Sequence, residues 1–172
     1  MTAIGRDRPG IVAAISGALL ELEGNIEDSQ MSILGGHFAV MLIVNVPDSV
    51  SPNRLEERLG TVREDLGLEA TAVSAVDPVA GGRPRPSHVV TVYGADHPGI
   101  VHAVTSVLAG SGVNVTDLET RLAGSSEAPL YAMIMEVDLG EAPVAEVETA
   151  LRSAGEASAV EVSIRPLDAE AL

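Results

Sequence analysis

Apolar residues recur along this chain with two different periods, and the alternation between them marks out the elements. Ile11, Ile15, Leu19 and Leu22 are spaced four, four and three residues apart, which places them on one face of a helix. Leu55, Leu59, Val62 and Leu66 repeat that spacing and predict a second helix, ended by Gly67. Between the two helices lie strand-like runs at 28–34 and 37–46, separated by the Gly35-Gly36 pair that favours a hairpin turn. A short strand ending at Ile4 precedes the first helix, and a strand over 68–76 follows the second. Gly24 and Asn25 are expected to stop the first helix, because both tolerate left-handed backbone. The order is strand, helix, strand, strand, helix, strand.

The same order then repeats. Gly5-Arg6-Asp7-Arg8-Pro9-Gly10-Ile11-Val12 returns as Gly94-Ala95-Asp96-His97-Pro98-Gly99-Ile100-Val101, an offset of 89. That offset also carries Asn25-Ile26 and Asp28 onto Asn114-Val115 and Asp117. It slips to 93 where Phe38 to Leu42 meets Tyr131 to Met135, so the second copy should have a longer hairpin near Gly124 to Pro129. Such internal repetition is the mark of duplicated units. The second copy predicts strands at 89–93, 117–122, 130–137 and 159–164, with helices at 99–109 and 143–153. In 117–122, Leu118, Thr120 and Leu122 alternate with Asp117, Glu119 and Arg121, the pattern of an antiparallel strand with one packed and one polar face. The chain thus reads as one domain over 1–77, a linker rich in Pro and Gly over 78–87, and a second domain over 88–168. Met1 aligns with Val90, so the first strand lacks counterparts of His88 and Val89; either the start lies upstream or that strand is short.

Composition narrows the chemistry. The 172 residues are 46% hydrophobic but only 2% aromatic, so the cores are built from aliphatic side chains and Met. No run approaches the length of a membrane helix and no basic-then-apolar leader opens the chain, which predicts a cytoplasmic protein. The absence of cysteine excludes disulfides and thiolate chemistry. All ten basic residues are arginine, so a lysine Schiff base and a Walker-type phosphate loop are excluded as well. A net charge of −15 argues against direct nucleic-acid binding, which relies on phosphate neutralisation. His97 and His102 are five residues apart and do not share a helix face, so no metal site is expected. Ser16 and Ser106 have no histidine–carboxylate partner suggested by spacing, Asp28 and Asp117 read as turn residues, and no cofactor or enzymatic activity is predicted.

The repeated turn is the remaining candidate. Asp7 as a helix N-cap would accept from the Gly10 N–H, an interaction of about 1 kcal/mol, with Pro9 harmless in the first turn. Glycine there is a poor helix former, costing up to about 1 kcal/mol, and is useful where a chain or ligand approaches the backbone closely. Free N–H groups at a helix start suit a carboxylate. A cap and a ligand turn both remain open on these grounds.

The strand, the Asp-Arg-Pro-Gly-Ile-Val turn, the apolar helix and the following Gly-x-Asn-Ile-x-Asp resemble the ACT domain. Two such modules in tandem resemble the glycine cleavage system transcriptional repressor group. The resemblance implies an α+β fold of two ferredoxin-like βαββαβ modules, each an antiparallel four-stranded sheet with helices on one face. It implies an amino-acid effector bound between paired modules at Asp7, Arg8, Pro9, Gly10 and Ile11, with Asn25 and Ile26 nearby. In the second copy the positions are Asp96, His97, Pro98, Gly99 and Ile100, with Asn114 and Val115. It further implies a homo-oligomer such as a dimer, and control of transcription in glycine metabolism through a transcription-factor partner rather than through DNA. Small residues near the turn point to glycine or serine as the effector. If Arg8 meets a ligand carboxylate, His97 does so only when protonated. The rival reading is a ligand-free protein–protein interaction module.

Overall fold

The computed structural model describes residues 1–76, 85–125 and 128–167. The chain divides into two compact units, Met1–Val79 and Ala80–Leu172. The first contains β1 (Thr2–Arg6), α1 (Ile11–Glu21), β2 (Asn25–Leu34), β3 (His37–Asn45), α2 (Pro52–Leu66) and β4 (Leu68–Ala72). The second contains β5 (His88–Ala95), α3 (Ile100–Gly110), β6 (Asn114–Ser125), β7 (Ala128–Asp138), α4 (Val144–Ala157) and β8 (Val160–Pro166). Each unit is a four-stranded sheet, in the orders β2-β3-β1-β4 and β6-β7-β5-β8, and every neighbouring pair is antiparallel. This is the expected α+β arrangement, twice over.

Period decides which side chains meet. Along β5, Val90 and Val92 are buried while Val89, Thr91 and Tyr93 turn to the opposite face, as two-residue alternation requires. Ile11, Ile15 and Leu19 of α1 and Leu55, Leu59 and Val62 of α2 close over Ala3, Phe38, Val40 and Leu42 to form the first core. Ile100, Val104, Leu108, Val147 and Leu151 close over Val90, Val92, Met133 and Met135 to form the second. No polar or charged residue is buried among the described residues. A bidentate pair, Arg58 to Glu21 at 2.7 and 2.9 Å, joins α1 to α2 on the surface. No helix among the described residues is long and apolar enough to cross a membrane.

Several local expectations are corrected. β1 and β5 run on to Arg6 and Ala95, because the central strand pairs on both sides almost to the turn. β4 stops at Ala72, not at 76, and β2 starts at Asn25, not at 28. The expected packed face of β6 is absent: Leu118, Thr120 and Leu122 are as exposed as Asp117, Glu119 and Arg121. β2 and β6 are the outer strands beside β3 and β7, and both faces of each are largely open to solvent. The longer second hairpin is present, β6 and β7 having 12 and 11 residues against 10 and 9 in β2 and β3. Its tip, 126–127, and most of the expected linker, 77–84, lie outside the described residues; Ser87, at the linker's end, bonds to Val137 and Leu167 alongside β5.

The corner after each helix is also unlike the expectation. Glu23 adopts φ 55, and Gly24 is needed instead for room: a Cβ there would lie 3.1 Å from the Leu19 carbonyl oxygen. In the second unit the left-handed position is Gly112, φ 72. The reverse exchange occurs after the second helices, where Gly67 (φ 61) in one unit corresponds to Ala159 (φ 50) in the other. A left-handed non-glycine residue costs about 1–2 kcal/mol, partly offset by the chain entropy that glycine adds to the unfolded state. Glu23→Gly and Ala159→Gly are therefore expected to stabilise their units by about 0.5–1 kcal/mol each, read as higher urea midpoints with unchanged slope. A fall in either midpoint would contradict this account of the corners.

Candidate functional site at the strand-to-helix turns

The first turn leaves the central strand at Arg6, and the Asp7 N–H donates to the Gly36 carbonyl of the hairpin at 2.9 Å. The chain then reverses onto the sheet through Gly10, the N-cap of α1, at φ 97 and ψ −10. Gly99 caps α3 with φ 100 and ψ −11, so the two turns are the same structure. Their carbonyls accept the first helical bonds, from Ala14 and Ala103, at 2.9 Å each. Ile11 and Ile100 enter the cores as the first residue of each helix. Asp7 is not the cap expected from sequence: it stands three residues ahead of the N-cap, and no side chain caps α1 or α3. By contrast Ser51 caps α2, accepting from the Arg54 N–H at 3.2 Å, and Glu146 lies in the first turn of α4. Among the helices of the described residues, only α1 and α3 have neither a side-chain cap nor a first-turn acid.

The glycine argument changes accordingly. Nothing lies within 4 Å of a Cβ built on Gly10 or Gly99, so crowding does not select glycine there; the left-handed backbone does. The close approach belongs to the first glycine of each motif. A Cβ on Gly5 would meet Leu68 Cδ2 at 2.9 Å, and one on Gly94 would meet Val160 Cγ1 at 2.6 Å. Those neighbours are the opening residues of β4 and β8, within the same unit.

Arg8 and His97 do the same work by different chemistry. Arg8 donates from Nη2 to the Asp65 carbonyl at 3.1 Å, near the end of α2. His97 places Nε2 at 2.7 Å from the Ser158 carbonyl after α4, and Nδ1 at 3.0 Å from the Pro98 carbonyl. Cations are favoured at helix C-termini. Two carbonyl acceptors require two ring N–H donors, which only imidazolium has. The Pro98 and Ser158 carbonyls, with Asp96 adding its charge, accordingly hold the His97 pKa above its ordinary value.

The remaining predicted residues separate. Pro9 and Pro98 lie within the turns, between Asp7 or Asp96 and the N-cap glycine. Asn25 and Ile26, expected beside the turn, pair with Asn45 and Val44, whereas the turn adjoins His37 at the other end of β3. From His37 to Asn45 the strand advances roughly 26 Å at about 3.3 Å per residue. Asn114 and Val115 are displaced in the same way, beside Asp138 and Val137. The α1 helix runs the length of the sheet between turn and β2, which is why nearness in sequence does not bring them together. Ser16 and Ser106 make only local contacts, to the Ala13 carbonyl and to His102. No group of three or more potential metal ligands occurs among the described residues. Sequence reasoning missed an apolar groove of about 120 Å³ between α1 and β2, lined by Val12, Ser16, Ile26 and Met31 above Phe38. Its only sequence signal is apolar residues in β2 that no helix covers.

A group whose folded pKa is raised adds stability that is complete below its unfolded value and is lost as pH rises through the folded value. The stabilising effect of His97 relative to His97→Gln should therefore be larger at about pH 5.5 than at about pH 8, measured by thermal melting. An equal difference at both pH values would show that the doubly bonded imidazolium does not form.

Comparison with known proteins agrees with this architecture. Residues 1–73 and residues 88–156 each match the ACT domain. The glycine cleavage system transcriptional repressor of Escherichia coli K12 is 27% identical over 161 residues, covering 89% of this chain and 81% of the repressor. A UPF0237 protein of Methanopyrus kandleri is 43% identical over 70 residues, 40% of this chain and 78% of that one. A crystal structure of an unknown protein from Galdieria sulphuraria superposes with a TM-score of 0.74 at 29% identity, covering 96% of this chain and 95% of that one. The chain belongs to the ACT-domain family, with one ACT domain in each half.

Proposed function

We propose that this chain is a regulatory amino-acid-binding protein that acts on transcription through a protein partner in the cytoplasm, without catalytic activity. The observation that carries this reading is that α1 and α3, the helices of the duplicated turn, begin with neither a side-chain cap nor an acidic first turn. The first N–H groups of a helix have no intrahelical partner and carry the positive end of its dipole. A free amino acid supplies the complement: its carboxylate meets the Ile11 and Val12 N–H groups, and its ammonium meets the exposed Asp7 carboxylate. Ile100, Val101 and Asp96 offer the same set. Arg8 and His97 are occupied at the helix ends, so in this reading they position the turn rather than hold the ligand.

Pairing of modules completes the site. Antiparallel addition of β2 to β2 of a second copy exchanges strand ends, so Asn25 of one copy approaches the turn of the other. The open outer edges of β2 and β6 suit such addition. An effector bound across the seam favours one pairing over others, and the partner reads that population. The named relative in Escherichia coli is a transcriptional repressor of the glycine cleavage system; for this chain glycine or serine is the first effector to test, and a transcription factor the first partner. A net charge of −15 supports a protein partner over DNA.

A second reading has support of its own: the left-handed φ of Gly10 and Gly99 accounts for both glycines without any ligand. A thermal-shift screen of the twenty amino acids separates the two. One or two small amino acids should raise Tm, by about 2.7 kcal/mol of added stability at a hundredfold excess over Kd. Asp7→Asn with Asp96→Asn should abolish the shift, read against the double variant's own ligand-free Tm because Asp96 also supports the His97 imidazolium. Silence across the panel at millimolar concentrations leaves the ligand-free module standing. In native mass spectrometry the protein should appear as a dimer or larger; a strict monomer removes the paired site.

A further inference from the structure

The second sheet has one face under α3 and α4 and one face bare, and the strand register sets out the bare face in rows. One row reads Asp117, Glu136, Val89, Arg165 across β6, β7, β5 and β8. Four residues along each strand, another reads Arg121, Ala132, Tyr93, Glu161. Between them lies the row Glu119, Ile134, Thr91, Ser163, in which Glu119 is ion-paired to Arg121 at 2.7 Å. The centre of the face is largely apolar, with Tyr93 44%, Leu130 45% and Ile134 43% exposed, and the charges stand on the outer strands apart from Glu136 on β7. An apolar centre with a charged rim is the anatomy of a protein interface.

The order of the charges specifies the partner. The two flanking rows each have opposite signs at their ends, and the order reverses from one of them to the other. Rotation by 180° about an axis parallel to the strands lays β6 of one copy over β8 of another without changing the row. Asp117 then faces Arg165 of the other copy and Arg121 faces Glu161, each pair occurring twice. We propose that this bare face is where two copies of the chain stack sheet to sheet about a two-fold axis. Isologous contacts have this self-complementarity by construction, and aligned sheets stack about 10 Å apart with a rotation near 30°, within the reach of arginine.

Two features of the isolated unit agree with this. Asp117 and Glu136 are direct cross-strand neighbours, a repulsive pairing, and neither is in an ion pair among the described residues. Arg165 of the second copy neutralises both. The first sheet has no such pair of rows: its corresponding lines read Asp28, Ile43 and Ser32, Ala39, Ile4, Ala70, with Gln30, Met41, Thr2, Ala72 between them. The interface is therefore specific to the second module, distinct from edge pairing through β2, and independent of whether an amino acid binds.

Charge reversal tests the geometry in the full-length protein. Arg165→Asp alone creates two Asp–Asp contacts across the axis, and Asp117→Arg alone creates two Arg–Arg contacts. Each single variant should shift the association midpoint at least tenfold toward higher concentration in sedimentation velocity. An equimolar mixture of the two variants should associate like the wild type, because every contact across the mixed interface is again Asp to Arg. Both positions are exposed, and unchanged circular dichroism verifies the fold. Single variants that sediment as the wild type, or a mixture that fails to recover, would overturn the proposal; the first result would mean that some other partner, or solvent alone, covers this face.

Discussion

Everything at the candidate sites depends on one backbone constraint, the left-handed glycine that turns the central strand into the first helix. With φ near +100° at Gly10 and Gly99, the chain reverses in a few residues and delivers Ile11 and Ile100 directly into the cores. A residue with a Cβ reaches that conformation only with strain. The same reversal leaves the helix start exposed and its N–H groups without a side-chain partner. Fold and candidate site are consequences of one turn.

The turn is held from behind by the second helix of its module. Gly5 and Gly94 let the central strand lie against Leu68 and Val160, at the point where β4 and β8 leave that helix. Arg8 and His97 then clasp the carbonyls near that helix's end. A change that displaced α2 or α4 would therefore be felt at the turn, a short route by which occupancy of the turn and packing of the module are coupled. The two copies share this design but differ in its chemistry, because arginine keeps its charge at any physiological pH while histidine does not.

Close packing keeps the helix faces of the two cores aliphatic at matching positions, while the strands beneath differ, with Phe38, Val40 and Leu42 in one unit and Tyr131, Met133 and Met135 in the other. The bare faces of the sheets escape that demand. One remains uncharged in its central rows while the other has acquired ordered charges on its outer strands. Duplication thus supplied two equivalent folds whose exposed sheet faces differ in charge.

Taken by itself, the sequence determined the duplication, the order of elements, the helix faces and the antiparallel hairpins. These depend on spacings of two and of three to four residues, which hold within a single element whatever surrounds it. Leu55, Leu59 and Val62 were legible as a buried face for that reason, as was Gly67 as a helix stop. Tertiary structure alone decided the rest. Gly10 proved to be a cap in left-handed backbone and Gly5 the close contact, because strand pairing fixes where the turn begins. Asn25 was separated from the turn because α1 spans the whole sheet between them. Leu118 and Leu122 stayed exposed despite clean alternation, because β6 is an outer strand that the helices of its module leave largely uncovered beyond Val115. Alternation records that a strand has two faces; only the neighbours that fold against it decide whether either face is buried.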